Sequence, residues 1–142
     1  MFRIFTLIII FLFFNTGKYT YASNSSGQLG SIDFSTSVSG TAQKHFLHGV
    51  AALHSFWYTE ALSSFKKSVS LDPEFAMGYW GLAMAHNHPL WEEQDYQSAK
   101  AALSKINNFS KLTQREQDYI HAIRLLMAKE ENIPVIKLIR KL

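Results

Sequence analysis

Shifted on itself by about 34 residues, the chain from Thr41 onward matches its own continuation. Phe46 falls on Trp80, Gly49 on Ala83, Val50 on Met84, Ala51 on Ala85 and His54 on His88. Within each copy the apolar residues recur at helical spacing, and no stretch alternates as a strand would. A repeat of this length is one pair of helices. Such a pair cannot bury its faces alone and is stable only when stacked on neighbours. The sequence therefore predicts an all-α chain of antiparallel helix pairs. Its helices are expected at 42–55, 58–70, 73–87, 95–106, 114–129 and 133–141.

Local chemistry supports this layout. Small residues stand where paired helices must cross closely, at Gly49 and Ala61 in the first pair and Ala83 and Ala99 in the second. Phe65 and Tyr79 supply the bulk between successive pairs. Asp72-Pro73-Glu74 reads as a helix start, with Asp72 as N-cap and Pro73 in the first turn. Pro89 stops the preceding helix by restricting His88. Four extra residues then precede the next helix, and Pro89-Leu90-Trp91 is expected to pack over that turn. Thr113-Gln114-Arg115-Glu116 has the form of a capping box.

The strings Leu53-His54-Ser55-Phe56-Trp57-Tyr58-Thr59-Glu60-Ala61, Phe75 to Ala83 and Asn87 to Trp91 resemble those of bacterial exported tetratricopeptide (TPR) repeat proteins. Asp33 to Ser37 and Leu112 to Glu116 are similar too, although the group usually has Pro in place of Gln114. The resemblance covers about residues 30–125. It implies a short right-handed solenoid with repeat one at 42–75, repeat two at 76–113 and a degenerate third at 114–142. His45, His48, Ala52 and Ser68 depart from the TPR pattern in the first repeat, and Lys111 replaces the proline that closes the second. Members are several times longer and generally have no assigned molecular function. Because this chain stops inside an amphipathic helix, it is expected to be the front of a longer array. In the other reading, Val135 to Leu142 is itself the cap. The resemblance also implies that the first helix of each pair lines the concave face. That places Phe46, Val50, His54, Met77, Trp80, Met84 and His88 as the expected partner-binding stripe for a protein or peptide. Cover by the Ser/Gly lead-in, or by further repeats, is the competing reading of the same stripe.

The N-terminus sets the compartment. Residues 1–22 have the form of a secretory signal, with Arg3, an apolar run from Ile4 to Phe14 and a cut expected after Ala22. That run covers ~17 Å, against ~30 Å for a hydrocarbon core. Contact with a membrane is expected only if this signal is retained. The protein is therefore expected to be exported, periplasmic or secreted. Residues 23–40 read as a flexible Ser/Gly-rich lead-in, in which Phe34 either tucks onto the helices or stays in an exposed linker.

Composition narrows the function. Arg3 and Lys18 are two of the 14 Lys and Arg, so the remainder nearly balances the 11 Asp and Glu and gives no footprint for nucleic acid. The absence of cysteine excludes thiolate metal sites and a cysteine nucleophile. No phosphate loop, serine elbow or HExxH motif is present, so no catalytic residue and no cofactor is assigned. The expected function is a non-catalytic interaction module. The alternative is a helical ligand- or metal-binding domain centred on His54, His88 and Trp80, for which Glu92 and Asp95 are further ligands only if the insertion folds back.

Overall fold

The computed structural model describes residues 29–89 and 93–128. The expected signal at 1–22, the first part of the lead-in, the Leu90-Trp91 packing and the helix at 133–141 lie outside the described residues.

The described residues are all-α apart from one short bridge. Five helices follow in order: α1 (Thr41–His54), α2 (Tyr58–Leu71), α3 (Ala76–Ala85), α4 (Tyr96–Leu103) and α5 (Gln114–Met127). Between α3 and α4, β1 (Asn87–His88) pairs antiparallel with β2 (Glu93–Gln94). Residues 87–88 and 93–94 thus form a strand bridge, which the helical periodicity did not predict. Gln94 donates to the Asn87 side chain across it at 2.8 Å.

Successive helices pack on one another, and α1, α3 and α5 also touch in sequence to form an inner row. The hydroxyl of Ser68, late in α2, donates to the carbonyl of Ala42 at the start of α1 at 2.8 Å. That contact fixes the two helices as antiparallel. Phe65 fixes their spacing. Its ring is fully buried, and a Cβ on Gly49 would stand 2.7 Å from it. A Cβ on Gly81 of α3 would come closer still. One phenyl ring is therefore seated against two helix backbones, a fit worth about 1.5–3 kcal/mol in buried area alone. The role expected of Gly49 holds, and Gly81 is a second close-approach residue.

Two helix ends lie three residues from where the sequence puts them. Asp72 does not cap α3. Its Oδ1 accepts from the Glu74 N–H at 3.0 Å, and its carbonyl accepts from the Phe75 N–H. An Asp side chain competes for nearby backbone donors in this way, so Asp72 to Phe75 close a turn and the helix begins at Ala76. Helix α4 ends at Leu103 rather than 106. The Ile106 N–H turns back to the Leu103 carbonyl at 3.2 Å, and the Arg124 guanidinium of α5 donates to the carbonyls of Leu103 and Ile106 at 3.4 and 3.2 Å, fixing this turn. By contrast, α5 starts where its sequence says. Thr113 accepts from the Glu116 N–H, and the Glu116 carboxylate accepts from Thr113, completing the capping box.

Candidate functional site

The inner row of α1, α3 and α5 forms a groove whose floor is aromatic. Phe46 of α1 and Trp80 of α3 lie with ring centroids 6.3 Å apart. Tyr119 of α5 meets Trp80 edge-on at 5.5 Å.

This groove is filled. Residues 32–39 carry no regular secondary structure, but their burial alternates with the two-residue period of an extended chain. Ile32, Phe34, Thr36 and Val38 are half-buried against the helices, while Asp33, Ser35 and Ser37 are exposed. We call this segment the arm. Phe34 seats at its centre, 5.4 Å from Phe46, 5.9 Å from Trp80 and 5.2 Å from Tyr119. The Arg115 guanidinium covers the same ring at 4.6 Å, a favourable cation–π distance.

Two polar clamps hold the arm's backbone. Gln43 of α1 donates to the Phe34 carbonyl at 2.8 Å and accepts from the Thr36 hydroxyl at 2.6 Å. Glu116 of α5 accepts at Oε1 from both the N–H and the hydroxyl of Ser37, each at 2.9 Å. Its Oε2 accepts from the N–H and hydroxyl of Thr113 at 2.8 and 2.9 Å. The residue is 1% exposed. Burial alone would raise the carboxyl pKa. The donors of Ser37 and Thr113 outweigh it and hold the pKa below the ordinary glutamate value. Sequence reading found Glu116 as a cap and missed it as a latch, because its second partner lies in a remote Ser/Gly-rich stretch.

The expected partner-binding stripe is distributed as follows. Phe46, Val50, Met77 and Trp80 are buried and belong to the core, so as packed here they present no face to solvent. Met84 and His88 are half-buried, and His54 is exposed in the last turn of α1. Phe46 and Trp80 come together beneath Phe34. His88 instead stacks on Tyr58 at 4.0 Å, and its Nε2 donates to the Ala85 carbonyl at 2.8 Å. His48 meets Ser64 at 2.9 Å. Burial first, then the nearby Lys66 and His88 charges, lower the pKa of His86; Asp95 opposes them without prevailing. Among the described residues, no three His, Asp or Glu side chains gather as a metal site would require.

A second aromatic group stands elsewhere, at the loop between α1 and α2. Phe56 has a φ of 59°, in the left-handed region that bulky side chains rarely adopt. With Trp57, Tyr58, Glu60, His88 and Glu93 it lines an open depression of about 520 Å³. Phe56 and Trp57 are 53% and 45% exposed.

Among the described residues, no helix is long and apolar enough to cross a membrane. Compared with family models, characterised proteins and solved structures, the chain matches none.

Proposed function

We propose that this protein is an exported, non-catalytic TPR-type interaction module. In this reading its helix pairs form the front of a right-handed solenoid, and the groove of α1, α3 and α5 is where a protein partner is recognised. The observation that carries it is the manner in which the arm is seated. The groove takes an extended segment by its main chain, through Gln43 and Glu116, and by one ring in an aromatic pocket. Extended peptides are commonly recognised by this combination, in which backbone hydrogen bonds give affinity and a side-chain pocket gives selectivity. The offset repeat, the crossing glycines and the signal-like N-terminus support the architecture and the compartment.

The test is site-specific photo-crosslinking in intact cells. A benzophenone amino acid replaces Tyr119, a 37% exposed ring at the groove rim, or Lys67 on the exposed side of α2. The expected result is a discrete heavier adduct from Tyr119 in the exported fraction and none from Lys67. Monomer alone from both positions would sink the reading.

A further inference from the structure

We propose that the groove docks an extended peptide supplied in trans, and that the arm is its resident competitor. The inference rests on the interaction-module reading and names the partner's chemistry.

The clamps are the first argument. Gln43 takes the Phe34 carbonyl, and Glu116 takes the Ser37 N–H. Both are main-chain groups that another peptide presents equally well. The pocket is the second. The four groups around Phe34 are Phe46, Trp80, Tyr119 and the Arg115 guanidinium. That setting selects an aromatic ring and repels a second cation. The third is the arm's attachment. It joins α1 through Gly40, whose φ is 82° and beside which a Cβ would meet nothing within 4 Å. The arm can thus swing about Gly40 without displacing α1. A cavity of about 230 Å³ borders Ser37 and Val38 and leaves room at that end.

The partner segment follows from these contacts. It is extended, with a central ring, an apolar residue two positions before it and another four positions after it, as Ile32 and Val38 stand to Phe34. The residue three after the ring has a free N–H, so it is not proline. Outward positions are unconstrained, as Asp33 and Ser35 are exposed here.

A tethered arm competes at an effective concentration of about a millimolar, and the apparent affinity for a free peptide scales with the fraction of grooves left open. Loosening the arm must therefore tighten binding in trans. The experiment titrates a fluorescent peptide of residues 29–40 into the full chain and reads anisotropy. Phe34→Ala in the protein should raise the apparent affinity at least about ten-fold. Ser37→Ala removes one hydrogen bond from the arm and none from the groove, and should raise it about two- to five-fold. It carries the test if Phe34→Ala fails to fold. A peptide with alanine at position 34 should not bind, and Gln43→Ala added to either variant should erase the gain. Equal affinity across wild type and folded variants, or indifference to the ring, overturns the proposal. Crosslinks at Tyr119 without peptide binding would remove this inference and leave the interaction module. Peptide binding without any cellular adduct would do the reverse.

Discussion

Two aromatic groups of this molecule, similar in composition, have opposite fates. Around Phe34 the rings of Phe46, Trp80 and Tyr119 close on one another beneath a cation and two backbone clamps. At the α1–α2 loop, Phe56 and Trp57 stay about half exposed on a backbone in the left-handed region. The difference is not hydrophobicity. The groove has the arm laid across it, whereas the loop borders the strand bridge, through His88 and Glu93, at an open depression. Ring content alone does not say which aromatic cluster is core and which is surface. The segment that comes to lie on it does.

Substitutions can break this contrast. Phe34→Ala is expected to have the largest effect, a loss of about 3 kcal/mol, near the lower end for a phenyl removed from a packed site. Urea denaturation followed by circular dichroism measures it, and a loss below about 1 kcal/mol would mean the arm is merely draped on the groove. Glu116→Gln comes next, at about 2 kcal/mol, because one carboxylate oxygen becomes a donor facing donors.

The same residue sharpens the comparison through pH. Its folded pKa is lowered, so near that value the unfolded chain binds more protons and stability rises with pH. The contribution is complete above the ordinary glutamate range and is lost as pH falls from that range through the lower folded value. Denaturation midpoints across that range should slope less in Glu116→Gln than in wild type. An identical slope would place the latch elsewhere. His86, lowered mainly by burial, adds an earlier acid loss below about pH 6.5 that the variant should retain. The smallest effect belongs to the loop. Trp57→Ala should cost less than about 1 kcal/mol in the same assay. A cost equal to that of Phe34→Ala would erase the distinction between the two clusters.

What could be read from the sequence followed the range of the interactions. Helices α1, α2 and α5 were legible because their periodicity and the Thr113–Glu116 box are local signals. The start of α3 was not, since Asp72 chooses between a cap and a turn over the same few atoms. The strand bridge was hidden because two paired residues carry no period. Phe46 and Trp80 were read as one stripe and their rings do meet, but Phe34, which packs on both, lies in a segment whose serines and glycines suggest a linker. Its alternation of Ile32, Phe34, Thr36 and Val38 was present in the sequence. Nothing local says that such an alternation lies against helices rather than in water. The Glu116 latch joins residues 79 positions apart, beyond any pattern read along the chain.

That separation also gives the molecule a history. Synthesis delivers the chain from its N-terminus, so the arm emerges early and waits while four helices follow it. Arg115, Glu116 and Tyr119, which complete its seat, come out late. Throughout that interval Phe34 and the growing inner row are exposed to whatever else is near, and long-range closures of this kind are the slow ones in folding. The window between the arm's appearance and α5's arrival is therefore when a chaperone would find the most apolar surface to hold, and the Ser37–Glu116 contact marks its end.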